Sequence, residues 1–223
     1  MKRILFASAA VLAILASGAN AADLGRRPYG QPAVYAPLPP PWAGFYLGLN
    51  GGGAWGTSSW DSASAPTGNF NVSGGMIGLT AGYNWQFNEW VLGLEGDIDW
   101  TNISGNTNVN CALGCETSNN WLGTVRGRVG YSWGAFLPYF TGGVAFGDID
   151  AKTPNRAGGS STEAGWVVGA GVEYALARNW SAKVEYLYAD LGHFDCGTGC
   201  GATAPDNVKF NANILRGGVN FRF

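Results

Sequence analysis

Charge is scarce in this sequence: Asp, Glu, Lys and Arg make up only 13% of its 223 residues, and the formal net charge is -2. No cluster of Lys and Arg is present to track a phosphate backbone, which argues against a nucleic-acid partner. Histidine is nearly absent too. The single His193 stands between Asp190 and Asp195 with no nucleophile arrangement around it, so it reads as a polar loop residue rather than as a general base or haem ligand. The chain therefore points to no enzyme, no cofactor and no metal. Glycine pairs such as Gly74-Gly75 are followed by no helix, which removes the context of a phosphate cradle. Beyond residue 16 no apolar run approaches the length of a membrane-spanning helix.

What is abundant is Gly, with 36 residues, and aromatics, with 10 Trp, 9 Tyr and 11 Phe. That excludes a disordered chain. The first residues, Met1-Lys2-Arg3, precede an apolar or small stretch from Ile4 to Ala16 and an Ala19-x-Ala21 site, the three parts of a cleaved secretory signal peptide over 1–21. Residues 22–41 carry Pro28, Pro32, Pro37, Pro39, Pro40 and Pro41. Pro at this density predicts an extended linker, with a partner-binding Pro motif as the rival reading. Residues 42–223 form the remaining domain.

From Trp42 onward the pattern has period two, which is strand periodicity. Eight segments stand out, at about 43–55, 71–87, 90–101, 120–133, 136–149, 164–176, 180–192 and 208–223. Three connections are short: Asn88-Glu89, Gly134-Ala135 and Ala177-Arg178-Asn179, where Asn179 suits a left-handed turn conformation. The others, near 56–70, 102–119, 150–163 and 193–207, are long and rich in Gly, Asn, Ser and Thr. Short and long connections alternate strictly. The fold expected is all-β, an eight-stranded antiparallel up-and-down transmembrane β-barrel with its tight turns at one rim.

The faces support a membrane barrel. Trp90, Leu92, Leu94, Ile98 and Trp100 share one parity, and Val91, Glu95, Asp97 and Asp99 share the other. Aromatics bracket the apolar parity as Trp90 and Trp100, Trp121 and Trp133, Phe136 and Phe146, Trp166 and Tyr174, and Trp180 and Tyr188. Paired girdles about ten residues apart match the two interfaces of a bilayer. The charges then turn inward as Glu95, Asp97, Asp99, Arg126, Arg128, Glu173, Lys183, Glu185 and Arg216. Buried charges need partners. Strand register sets Glu95 opposite Arg126 and Glu173 opposite Lys183, and Glu185 can meet Arg216. A structural ion-pair network and a charged conduit are the two readings of that lumen, with inward Gly78, Gly82, Gly93, Gly130 and Gly169 as room for water pockets.

Cysteines are few, four in two loops, as Cys111 with Cys115 and Cys196 with Cys200. Two local disulfides are expected in an oxidising compartment, with cross-loop pairing left open. A metal site drawing on His193 does not follow, because the spacing is unlike a zinc ribbon.

The stretch ADLGRRPY after the N-terminal segment, the Pro-rich residues, WAGFYLGLNGGGAW, the repeated Gly/aromatic strands and the final VNFRF resemble the small outer-membrane, porin-like β-barrel proteins of alpha-class proteobacteria. These group with OmpA-type and opacity-type eight-stranded barrels. The resemblance implies residence in the outer membrane of a Gram-negative bacterium, contact with outer-membrane lipid, extracellular long loops and a periplasmic linker and turns. It also implies that Val219, Phe221 and Phe223 serve as a signal to the barrel-assembly machinery. The expected function is chiefly structural and surface-related, with a narrow channel for ions or very small solutes as the alternative. A loop-borne adhesin or receptor is a further alternative, its external ligand unknown.

Overall fold

Each strand is 16 to 19 residues long, and apart from the closing β1–β8 pair the strands pair with their sequence neighbours. In the computed structural model, which describes residues 42–61, 68–109, 114–152, 159–195 and 207–223, they are β1 (Gly44–Asp61), β2 (Asn69–Phe87), β3 (Trp90–Thr107), β4 (Cys115–Tyr131), β5 (Phe136–Lys152), β6 (Gly159–Ala175), β7 (Trp180–Asp195) and β8 (Asn207–Arg222). Every neighbouring pair is antiparallel, and β1 pairs with β8 to close the barrel. Closure leaves no unpaired strand edge within the membrane band, the condition for crossing hydrocarbon with β structure. The expected signal peptide and linker, residues 1–41, lie outside the described residues.

The short-turn rim follows the expected register. Phe87 faces Trp90 across Asn88-Glu89, with Asn88 at φ 55°. Trp133 faces Phe136 across Gly134-Ala135, with Gly134 at φ 64°. Leu176 N and Ala177 N both donate to Trp180 O. Asn179 departs from expectation, since Asn88 is the single non-glycine residue of positive φ among those described. Asn179 is instead held by β8: its amide Nδ2 donates to Arg222 O at 2.6 Å, and its own carbonyl accepts from Arg222 N. Tertiary hydrogen bonds replace the local turn preference.

At the other rim every strand runs further than expected. Strand extends from both sides into the segments near 56–70, 102–119, 150–163 and 193–207, read as loops, and β-bulges between Trp100 and Ile103, Ser118 and Leu122, and Asp190 and His193 mark where the wall changes character. In β7 the extra residue is accommodated by Gly192 at φ 71°, whose N–H donates to Asp190 Oδ1 at 2.8 Å. Bulges of this kind tighten twist and re-aim side chains. Beyond the far aromatic girdle the chemistry of the two faces exchanges. Outward positions turn polar, with Asn102 and Ser104 after Trp100 and Thr162 and Ser160 beyond Trp166, while inward positions turn apolar, with Ile103, Ile149, Val208, Phe210, Ala212 and Ile214 buried. Between the girdles the arrangement is the reverse, with Leu94, Ile98, Phe140 and Val168 exposed. The barrel is thus a membrane-type cylinder continuing into a water-type one.

Candidate functional site: the filled lumen

Three storeys of side chains fill the barrel. At the short-turn mouth, Trp42 is fully buried and packs with Val91, Leu137 and Ala175. Its backbone N–H donates to Gln86 Oε1 at 2.7 Å, its carbonyl accepts from Asn84 Nδ2 at 3.1 Å, and its indole N–H donates to Gly134 O at 3.2 Å. Arg222 lies over its ring at 4.8 Å. One residue preceding β1 therefore ties together β2, β3, the β4–β5 turn, β5, β6 and β8.

The middle storey holds the nine inward charges expected from the sequence, all of them buried. Arg126 is its centre: Nη2 meets Glu95 Oε1 at 2.5 Å and Asp97 Oδ2 at 3.1 Å, Nη1 meets Glu185 Oε2 at 2.9 Å, and Nε donates to Thr124 Oγ1 at 2.9 Å. Arg216 bonds Glu185 at 2.9 Å and Asp99 at 2.8 Å and also contacts Asp97. Register places Glu173 opposite Lys183 as expected, yet the ion pairs cross the interior instead. Lys183 Nζ reaches Glu95 Oε2 at 2.9 Å, and Glu173 Oε2 pairs with Arg128 Nη1 at 3.0 Å. A charge in a narrow barrel is as near to the opposite wall as to its neighbour, so ion pairs form across the interior as well as along the ladder.

The alternation did not single out the groups that complete this network. Tyr46 and Tyr139 place their rings 5.1 Å and 5.0 Å from the Arg128 guanidinium. Their hydroxyls donate to Glu95 Oε2 at 2.8 Å and Glu185 Oε2 at 3.1 Å. Asn84 accepts from Arg128 Nε at 3.0 Å, and Asn220 and Ser181 both donate to Glu173 Oε1. The inward glycines are not water pockets. A Cβ at Gly82 would strike the Tyr46 hydroxyl and one at Gly78 the Asp99 carboxylate, and Gly93, Gly130 and Gly169 likewise face side chains or strand backbone. They are the space that the long charged and aromatic side chains occupy.

The third storey is apolar, a cluster that includes Trp60, Phe70, Val72, Ile103, Leu122, Ile149, Leu187, Leu191, Phe210 and Ile214. Trp60 satisfies its indole N–H on Thr117 Oγ1 at 2.9 Å. Ser58, Thr117 and Asn119 are buried polar side chains at the same level, and half-buried Glu163 shares the inward parity of β6, its carboxylate accepting from Ser161 Oγ at 2.6 Å. Of the four cysteines, Cys115 is buried and disulfide-bonded; Cys111, Cys196 and Cys200 lie outside the described residues. His193 is exposed beside the β7 bulge, opposite Lys209. No group of three or more His, Cys, Asp or Glu with metal-binding geometry occurs among the described residues. Val219 and Phe223 are exposed on the outer wall of the short-turn rim, where Phe221 packs edge-on to both Trp180 and Phe223.

With closed topology, girdles and inward charge in place, comparison with known proteins is decisive: the sequence matches the family described as outer membrane protein beta-barrel domain over residues 7–223. The chain belongs to this family. Among its relatives is the 31 kDa outer-membrane immunogenic protein of Brucella melitensis, 36% identical and aligned over the whole of both chains. Another is the 22 kDa outer membrane protein of Rhizobium leguminosarum bv. viciae, 34% identical over 86% of this chain and 83% of that one. The crystal structure of the outer membrane protein OprG from Pseudomonas aeruginosa shares the fold, with a TM-score of 0.50, 16% identity and coverage of 81% of this chain and 97% of that one. As an outer-membrane barrel of a Gram-negative bacterium, the protein meets membrane lipid along the band between its girdles.

Proposed function

We propose that this outer-membrane barrel is a sealed structural and surface protein, with no enzymatic activity, that presents its extended far rim outside the cell. The observation that carries the reading is the stacked filling of the lumen. The ionised groups are spent on one another, with side chains of the network exposed by 2% or less, and apolar side chains occupy the storey beyond them. An ion entering that storey would leave water for hydrocarbon, a cost of many kcal/mol. Eight strands enclose little more than side-chain width in any case.

Orientation follows from chemistry of the same wall. Strands continuing past the girdle with polar outer faces suit an aqueous exterior, so the far rim is read as extracellular and the short turns as periplasmic. Val219, Phe221 and Phe223, presented outward at the short-turn rim, are read as the contact for the barrel-assembly machinery. The narrow-channel alternative draws support only from the presence of charge, which the pairing geometry accounts for. Proteoliposome swelling tests the sealed reading: vesicles carrying the folded barrel should swell in small sugars no faster than empty ones, and faster swelling would overturn it. Whole-cell antibody labelling tests orientation. An epitope inserted at Gly68 should be reached on intact cells, and one between Asn88 and Glu89 only after permeabilisation.

A further inference from the structure

Beyond the far girdle one seam of the barrel is left open. The β6–β7 ladder ends with Trp166 opposite Asp190, level with the ring contact of Trp166 and Tyr188 at 5.4 Å. Both strands nevertheless continue, β6 back to Gly159 against β5 and β7 on to Asp195 against β8. Other ladders run on past the girdle, to Ser59 with Asn69 between β1 and β2 and to Thr107 with Cys115 between β3 and β4. Residues Gly159 to Ala164 therefore keep one edge without a ladder partner among the described residues. Burial marks the same gap independently. Ser161 and Glu163, on the inward parity of β6, are only half-buried, whereas Ile149 opposite Ser161 on β5 and Val208 and Phe210 on β8 are buried.

The two edges of the gap are not equivalent. On β7 the bulge after Asp190, with Gly192 at φ 71° and its N–H held by Asp190 Oδ1 at 2.8 Å, bends the chain and occupies a donor. Bulges of this kind blunt an edge against pairing. The β5–β6 register, by contrast, runs without a shift from Phe136 with Tyr174 to Ala151 with Gly159, and no proline interrupts Gly159 to Ala164. Alternate residues of such a strand turn both N–H and C=O toward the open side. The β6 edge is thus a straight template for one more strand.

Charge selects the strand that fits. Glu163 stands inward beside the gap, Asp148 and Asp150 stand opposite Thr162 and Ser160 on β5, and Asp190 lies at the foot of the gap. Basic residues are further off, Lys152 opposite Glu116 on the β4 side and Lys209 opposite His193 on β8. An apolar strand would bury the Glu163 carboxylate without a countercharge, and a second copy paired edge to edge would bring the same acids together. We infer that the β6 edge is a docking site for an extended basic segment of another protein, added as a strand through main-chain hydrogen bonds with a Lys or Arg set against Glu163. That this partner is met outside the cell rests on the orientation proposed above. The docking itself does not, and it is measured in detergent micelles, where both rims are accessible.

Two measurements on the purified, oxidised barrel test it. Hydrogen-exchange mass spectrometry of the free protein should show about half of the amides of Gly159 to Ala164 exchanging at least about tenfold faster than those of Val208 to Ala212, a segment laddered to both β1 and β7. A hexapeptide of alternating Lys and Thr should slow that exchange and bind with a Kd at least about tenfold below that of its Glu and Thr counterpart. Methylating every backbone nitrogen of the Lys peptide should abolish binding. Glu163→Gln, its folding confirmed by heat-modifiable migration, should bind the Lys peptide at least about threefold more weakly. Full protection of Gly159 to Ala164 in the free protein, as when another segment of the chain covers the edge, would overturn the proposal. So would protection that grows with barrel concentration, the mark of a second copy, equal binding of the two peptides, binding that survives backbone methylation, or unchanged affinity in Glu163→Gln.

Discussion

Arg126→Met is the perturbation that separates a dry ionic core from a wet one. The guanidinium bonds three carboxylates, Glu95, Asp97 and Glu185, at 2.5, 3.1 and 2.9 Å, and a hydrogen bond to a charged group is worth about 1.5–3 kcal/mol, a gross loss of roughly 5–9 kcal/mol. Part of that is recovered because no carboxylate is orphaned. Glu95 keeps Lys183 at 2.9 Å, Glu185 keeps Arg216 at 2.9 Å, and Asp97 keeps Arg216. A net destabilisation of about 3–5 kcal/mol is expected, the usual cost of removing one partner from a buried pair. Equilibrium urea unfolding in lipid vesicles, followed by tryptophan fluorescence, reads it. Arg178→Met on the exposed β6–β7 turn should change stability by less than about 0.5 kcal/mol. Adding Glu95→Gln to Arg126→Met removes a surplus negative charge and should return about 1–2 kcal/mol through coupling of the two sites. A loss below about 1 kcal/mol for Arg126→Met, the range of solvent-screened pairs, would refute the dry lumen.

Other consequences follow from the same geometry. Trp42→Ala should cost about 3–5 kcal/mol, as for a large core aromatic, whereas Trp133→Ala in the girdle, where the ring is 65% exposed, should cost clearly less in the same titration. The exchange of faces predicts position-specific tolerance. Ile149→Asp should cost more than about 3 kcal/mol by burying an unpaired carboxylate, Leu94→Lys in the middle of the lipid face about 2–4 kcal/mol, and Thr162→Ile on the polar outer wall less than about 1 kcal/mol. Gly165→Val should give no heat-modifiable folded band, because its Cβ would overlap the Asp190 carbonyl and Leu191 Cα of the adjoining strand.

Much of this was legible in the sequence, and the boundary of legibility has a physical cause. Within the membrane band, hydrocarbon outside and charge inside give adjacent residues opposite chemistry, so registers such as Glu95 with Arg126 and Glu185 with Arg216 could be read from alternation alone. Alternation persists beyond the far girdle, as in Val208-Lys209-Phe210-Asn211-Ala212-Asn213-Ile214. It was obscured there because Asn, Ser and Gly on the outer parity carry turn propensity, and because the apolar residues had moved to the inner parity. Bulges at Trp100, Ser118 and Asp190 shift the register at that same level. Pairing through the interior, such as Lys183 with Glu95, is set by barrel width, which no ladder rule encodes. The role of Trp42 was hidden for another reason: the sequence marks it only as the first residue of the alternating domain, and only closure of β1 on β8 reveals it as the stopper of the mouth.

Single-channel current across a planar bilayer, recorded with the refolded and oxidised barrel after its folding is confirmed by heat-modifiable migration, tests the sealed lumen most directly. The account predicts a flat trace at all applied voltages, the same for wild type as for protein-free bilayers. Reproducible, charge-selective current steps whose selectivity changes in Arg126→Glu would contradict it and make the middle storey an ion path.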